Sequence, residues 1–223
     1  MQKYLETLKK CPLFFGIEEE SLVRMLHCMG ARVDAYEKRD TVFAEGDPAV
    51  DIGIILSGRV QTEIIDYFGN RSILSFGDSG DIFGEAFACA EIDELPVSIV
   101  ATEPCRVMTV DCSHILHTCE NNCGFHRQLI YNLMREMAKK NIASHEKIEV
   151  TAKRTTREKL MSYLYSYAKK VKSSSFEIPF DRQELADYLE VERSGLSSEI
   201  SKLKAEAIIE NKKNKFKILK YGV

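Results

Sequence analysis

The chain has 223 residues, 44% of them apolar and 29% charged, with a formal net charge of −3. That is enough to bury the core of one or two domains, and no apolar run approaches the roughly 18 residues of a membrane span, so a membrane protein is excluded. The balance is uneven: residues 149–223 hold 16 Lys/Arg and 11 Asp/Glu, whereas residues 1–148 hold 15 and 23. A basic C-terminal part suits a polyanion and an acidic N-terminal part repels one, which predicts two domains with only one meeting nucleic acid. No export signal opens the sequence, so the seven cysteines are expected as reduced thiols in a cytoplasmic protein.

Residues 1–30 read as helix, with Leu5, Leu8, Phe14, Leu22, Val23 and Leu26 at helical spacing and breaks at Pro12 and Gly16. From Ala31 to Val110 the texture changes to short apolar runs: Thr41–Phe43, Ile52–Leu56, Val60–Ile65, Ser72–Phe76 and Ser98–Ala101. Glycine turns such as Ser57-Gly58, Phe68-Gly69-Asn70 and Gly80-Asp81 separate them. Many short strands with glycine turns predict a barrel, roll or sandwich.

Residues 124–150 read as one long helix with two apolar stripes. Ile130, Met134, Met137, Asn141, His145 and Ile148 form a narrow one, suited to a coiled-coil seam on which Asn141 sets register. Phe125, Leu129 and Leu133 form another, suited to packing on the roll. The other reading is a single core-facing helix with a wide apolar face. A helix over Arg154–Lys172, with Leu160, Met161, Leu164 and Tyr167 inward, and a short strand at Phe176–Ile178 follow.

Residues 181–200 then carry two short helices joined by a tight turn. Leu185, Ala186 and Leu189 face inward from the first, Val191 follows the turn, and Leu196 and Ile200 face inward from the second. Ala186 is small where crossing helices approach. This spacing predicts a helix-turn-helix whose second helix enters the DNA major groove. Residues 208–219 read as a β-hairpin turning at Lys212–Asn214, which makes the motif a winged helix. Arg193, Ser194, Ser197 and Ser198 start the second helix, where side chains reach base edges. Arg193 is the long donor, suited to a bidentate pair with guanine. Lys212, Lys213 and Lys215 on the wing either meet phosphates or form a solvated hairpin. Glu190 stands in the turn where positive φ favours glycine, a strain of order 1 kcal/mol.

The order of β-roll, long helix and winged helix-turn-helix resembles the Crp/Fnr family of bacterial transcription regulators. The resemblance covers essentially the whole chain. Its specific pieces are Ile55-Leu-Ser-Gly-Arg59, Gly80-Asp-Ile-Phe-Gly-Glu85, Thr155-Thr-Arg-Glu-Lys-Leu160 and the helix-turn-helix. It implies an α+β chain: an N-terminal antiparallel jelly roll like that of cyclic-nucleotide-binding proteins (1–120), a dimerisation helix (121–150) and a winged helix-turn-helix (151–223). It further implies a homodimer on pseudo-palindromic double-stranded DNA, with RNA polymerase as a partner. By this resemblance Arg193, Ser194 and Ser198 match base-contacting positions, and Arg182 and Gln183 match phosphate contacts. Many relatives carry arginine where this chain has Ser198.

Gly84 and Glu85 match the start of the family's phosphate-binding cassette, where the glutamate holds a ribose hydroxyl and an arginine pairs with the cyclic phosphate. Here the arginine position falls at Leu95, and no Arg or Lys occurs between Gly84 and Arg106. An unpaired phosphate charge is costly, and Glu85, Glu91, Asp93 and Glu94 repel it, so the effector is expected to be something other than cyclic AMP.

The cysteines offer another sensor. Cys112, Cys119, Cys123 and His126 have the spacing and softness for a transition metal or a redox pair, with His114 and His117 nearby; the plainer reading is small core cysteines. Haem through His117 or His126 is a further option, and the cofactor stays open. The rival to a DNA-reading regulator is a cysteine-based redox or metal sensor whose DNA head has weakened, as Glu190 and Ser198 suggest. A β-roll enzyme would need histidines on facing strands, but His27, His114, His117, His126 and His145 fall outside the predicted roll strands, so no catalytic role is expected.

Overall fold

The computed structural model describes residues 2–116 and 124–220. They form two compact units, residues 1–65 with 74–141 and residues 66–73 with 142–223.

The first unit opens with helices α1 (Leu5–Lys10) and α2 (Glu19–Cys28), separated by a 3-10 turn at Pro12–Phe14 and by Gly16 at φ 77°. Leu8, Leu13, Phe14, Leu22 and Leu26 are buried. Eight strands follow: β1 (Arg32–Tyr36), β2 (Thr41–Phe43), β3 (Asp51–Ser57), β4 (Arg59–Ile65), β5 (Arg71–Asp78), β6 (Ile82–Phe83), β7 (Ser98–Ala101) and β8 (Cys105–Asp111). They form two four-stranded sheets, in the orders β1-β8-β3-β6 and β2-β7-β4-β5. Residues 71–73 at the start of β5 belong to the second unit. The expected apolar runs become β2, β3, β4, β5 and β7, whereas β1, β6 and β8 were not singled out. β8 lies between β1 and β3 with Val107, Met108, Thr109 and Val110 all buried, so it lacks the alternation of a half-exposed strand.

Two glycines shape the roll. A Cβ on Gly53 would sit 2.1 Å from the Phe83 ring, so the ring takes the space glycine leaves. Gly58 turns β3 into β4 at φ 81°, where a Cβ would lie 2.5 Å from the Pro104 carbonyl oxygen. Between β6 and β7 sits the short helix α3 (Glu85–Cys89), and α4 (Ser113–Leu116) follows β8.

The long helix α5 (Gly124–Thr151) matches the expected span within a residue. Leu129 and Leu133 are buried in the core that also holds Leu8, Leu22 and Ile54, and Phe125 and Met137 pack against it. Asn132 is buried too. Its amide donates to the carbonyls of Leu13 (2.9 Å) and Phe15 (2.8 Å) and accepts from Gln128 (3.0 Å), tying α5 to the N-terminal segment. The expected seam needs correction at Met137. At 3.6 residues per turn Met137 continues the Leu129–Leu133 row by one more step of four and turns inward, and Ile130 is half-buried. The large exposed apolar residues described on α5 are Tyr131, Met134, Ile142 and Ile148, with Asn141 exposed beside them.

In the second unit, α6 (Thr156–Val171), β9 (Ser175–Glu177), α7 (Arg182–Leu189), α8 (Arg193–Ala205), β10 (Ile209–Lys212) and β11 (Lys215–Ile218) form a helix-turn-helix with a three-stranded wing in the order β10-β11-β9. Both α6 and α7 start with a capping box. Thr155 and Glu158 exchange side-chain-to-backbone bonds, as do Asp181 and Glu184. Leu160, Leu164, Leu185, Ala186, Leu189, Leu196, Ile200, Leu203, Phe216 and Ile218 fill the core. Half-buried Tyr167 turns inward as expected and is joined by buried Tyr163, which was not expected there, in a ring cluster with Phe176, Phe180 and Tyr188 that closes one side, with Phe180 and Tyr188 centroids 4.7 Å apart.

Glu190 adopts φ 55° and ψ 56° at the C-cap of α7, as its place in the turn predicts. The Lys159 ammonium donates to the carbonyls of Leu189 and Glu190 at 3.2 Å each, which satisfies the helix end beside the strained residue. Glu190→Gly is expected to stabilise the protein by about 0.5–1 kcal/mol, because glycine carries no Cβ penalty at positive φ. A denaturation midpoint unchanged or lowered in that variant would show that the Glu190 side chain supplies more than its backbone costs.

Candidate functional site

The recognition surface is assembled around the N-terminus of α8. Arg193, Ser194 and Ser198 are exposed and Ser197 is half-buried. They sit on the first turn and a half of a helix whose Leu196, Ile200 and Leu203 are buried, so the polar positions are held outward by the packing of the apolar ones. Arg182, at the start of α7, is half-buried. Its Nη2 donates to the Asn211 side chain at 3.0 Å, while Asn211 donates to the carbonyls of Lys213 (2.8 Å) and Lys215 (3.0 Å). One guanidinium thereby braces the wing turn. Its Nη1 is buried with no hydrogen-bond partner among the described residues. Burial, and then the neighbouring Arg193 charge, lower the Arg182 pKa from its ordinary value. Two like charges side by side favour an anion between them.

Gln183 is exposed and donates to Asp187 at 2.7 Å, and Asp187 also accepts from Arg71 Nε at 2.9 Å and Nη2 at 2.6 Å within the same unit. Lys213 is exposed at the tip of the wing, at φ 55°. The Thr155–Leu160 motif supports this surface from behind. Arg157 pairs with Glu206 through two nitrogens and with Glu199 at 3.4 Å, fixing the start of α6 on α8, and Lys159 closes α7. Asn211 was not picked from sequence, and Arg157 only as a member of the Thr155–Leu160 motif, with no role assigned. A polar side chain two residues before a hairpin turn was the one local signal for Asn211.

In the roll, Glu85 is 3% exposed and pairs with Lys140 of α5, Nζ to Oε1 at 2.8 Å. The same ammonium donates to the Ile82 carbonyl at 2.6 Å. Glu85 Oε2 is buried without a hydrogen-bond partner among the described residues. Gly84 takes φ 79° and its position faces the Asp51 carbonyl and the Phe43 ring. Leu95 is buried, its backbone bonded to Asp47 and Gly46, and Phe43 and Phe83 stack edge to face at 5.2 Å. These residues do not fit a cyclic nucleotide. The position expected to hold the phosphate is a core leucine, and the carboxylate expected to hold the ribose already holds a lysine. Lys140 was missed because it lies 55 positions from its partner in the sequence.

Of the expected cysteine cluster, Cys119 and Cys123 lie outside the described residues, as does His117. Cys112 is buried with its Sγ 3.4 Å from that of Cys89, and His126, also buried, donates from Nε2 to the Ile115 carbonyl at 2.6 Å. Among the described residues no three His, Cys, Asp or Glu side chains converge as metal ligands. His126 serves to join α5 to α4.

Residues 33–122 match the family model of the cyclic nucleotide-binding domain, and residues 158–222 that of the Crp-like helix-turn-helix domain. No curated protein matches the sequence significantly. Among solved structures, the chain is similar to the c-di-GMP responsive global regulator CLP of Xanthomonas campestris, with 18% identity, a TM-score of 0.74, and 92% of this chain and 100% of that one covered. It is also similar to FixK2 from Bradyrhizobium japonicum, with 19% identity, a TM-score of 0.65 and coverage of 85% and 93%. TTHB099 of Thermus thermophilus, a transcriptional regulator of the CRP family, aligns at 16% identity and a TM-score of 0.61 over 84% and 92%. At these identities the structures speak for the fold. The two family models, in this order on one chain and with the helix-turn-helix surface described above, place the chain in the Crp/Fnr family of DNA-binding transcription regulators.

Proposed function

We propose that the chain works as a homodimer that reads a pseudo-palindromic operator through α8, with residues 1–120 as sensor, 121–150 as dimerisation helix and 151–223 as DNA head. The observation that carries this reading is the exposed trio Arg193, Ser194 and Ser198 on the first turns of α8, beside the half-buried Arg182. Arg193 reads a base edge, Ser194, Ser197 and Ser198 add shorter contacts, and Arg182, Gln183 and Lys213 meet phosphates. The exposed Tyr131, Met134, Ile142 and Ile148 supply the apolar surface for a second copy, with Asn141 on that seam. As a promoter-bound regulator in the cytoplasm the protein acts on RNA polymerase rather than on a substrate of its own. Its effector is not cyclic AMP, since the cassette offers Leu95 and an already paired Glu85.

The test is selection of duplex DNA from a random library by the purified protein, with sedimentation of the free protein. The expected result is a two-fold-related site bound by a dimer that Met134→Glu with Ile148→Glu dissociates, and no calorimetric response to cyclic AMP at tens of micromolar. A monomer at micromolar concentration, enrichment of no sequence, or tight cyclic AMP binding would each contradict the corresponding part.

A further inference from the structure

The dithiol formed by Cys89 and Cys112 lies outside everything the DNA-reading function uses. Cys89 ends α3 and is half-buried; Cys112 follows β8 and is 2% exposed. Their sulfurs are 3.4 Å apart and both are free thiols. The two segments are anchored independently. The Cys112 N–H donates to the Val50 carbonyl at 3.0 Å and the Cys112 carbonyl accepts from the Ile115 N–H at 2.9 Å, while α3 is held through Glu85 and Lys140. The sulfurs therefore face each other because the fold brings them together. A disulfide at about 2.05 Å needs the sulfurs to close by only about 1.4 Å, within the reach of side-chain rotation.

We propose that Cys89 and Cys112 form an oxidisable pair, a modification site for hydroperoxides. Cys89 is the more exposed sulfur, and the hydrogen bond from Cys112 draws its pKa below the ordinary thiol value while the same bond and burial raise that of Cys112. The Cys89 thiolate attacks the peroxide. A sulfur–oxygen bond forms, the oxygen–oxygen bond breaks, and the alkoxide or hydroxide released takes a proton, leaving a sulfenic acid on Cys89. Cys112 then attacks that sulfur. The sulfur–sulfur bond forms, the sulfur–oxygen bond breaks, and the hydroxide leaves with the Cys112 proton as water. Two thiols lose two electrons and the peroxide gains them, giving one disulfide, one alcohol or water, and one further water. The other described buried cysteines, Cys11 and Cys105, are raised by burial, Cys11 to about 12, and so are poor nucleophiles.

The full chain is treated with one equivalent of hydrogen peroxide, alkylated under denaturing conditions and digested for mass spectrometry. The expected result is loss of two of the seven thiols, a cross-linked peptide joining Cys89 to Cys112, and recovery on adding dithiothreitol. In Cys112→Ala, which leaves no new polar group in the core, Cys89 should stop at a sulfenic acid that dimedone traps, and Cys89→Ser should give no cross-link. A cross-link between Cys119 and Cys123 instead, or oxidation confined to the exposed Cys28, overturns the assignment. The wild-type peptide map decides this even where a variant does not fold.

Discussion

Lys140→Met is expected to lower stability by about 2–4 kcal/mol, because it leaves the buried Glu85 carboxylate without its cation. The figure lies below that for a fully buried pair, since the Lys140 side chain is 43% exposed and solvent screens it. The loss also releases the Ile82 carbonyl from its donor. In a protein of this size, such a change corresponds to a fall of roughly 5–15 °C in melting temperature. Glu85→Gln in the Lys140→Met background should recover most of the loss, because an amide tolerates burial better than an unpaired charge. Scanning calorimetry of the two variants checks this. A Lys140→Met protein that melts with the wild type would mean that Glu85 finds another partner. The prediction also bears on the effector. One oxygen of the residue that the family resemblance reserved for a ligand is used here by the protein itself, so a ligand that claims Glu85 Oε1 must first compete with Lys140.

Arg193→Ala should weaken binding to the selected operator by roughly 5- to 150-fold, about 1–3 kcal/mol, and relax preference at one base position per half-site. Arg193 is the one long charged donor among the exposed residues of the first turn of α8. Lys213→Ala, at the wing tip, should weaken every duplex alike and reduce the salt slope by about one. The contrast follows from chemistry: a guanidinium on a guanine edge discriminates, whereas an ammonium on a phosphate only attracts. If library selection with Arg193→Ala returned the wild-type site, the reading of sequence would belong to another element. Arg182 provides an internal comparison. Because it also braces Asn211 under the wing, Arg182→Ala should lower both affinity and thermal stability, while Arg193→Ala, at an exposed position, should leave stability nearly unchanged.

Local sequence determined the elements whose signals are periodic or chemical at short range. The long helix was legible from its repeating apolar positions, and both winged-helix helices from inward Leu185, Leu189, Leu196 and Ile200. The wing was legible over residues 208–219 as a hairpin turning at Lys212–Asn214. Positive φ at Glu190 followed from its place in the turn, where a helix-turn-helix usually carries glycine. In each case the deciding interactions join residues only a few positions apart, so a short window contains the whole cause.

What lies far apart in the chain was decided only by the tertiary structure. β8 is buried on both faces because Met108 and Val110 join the core that holds Leu129 and Leu133 while Val107 joins the core with Val60 and Ile99, and no local alternation records that. Met137 faces the core rather than the seam because α5 offers two adjacent apolar rows, and the roll, not the helix, selects which row it covers. Lys140 meets Glu85 across 55 residues, Asn132 meets Leu13 across 119, and Cys89 meets Cys112 across 23. A sequence lists such groups without saying which of many possible partners each receives. The choice is made when apolar burial fixes the strands and helices, and the polar and thiol groups then take whatever neighbours that packing leaves within reach.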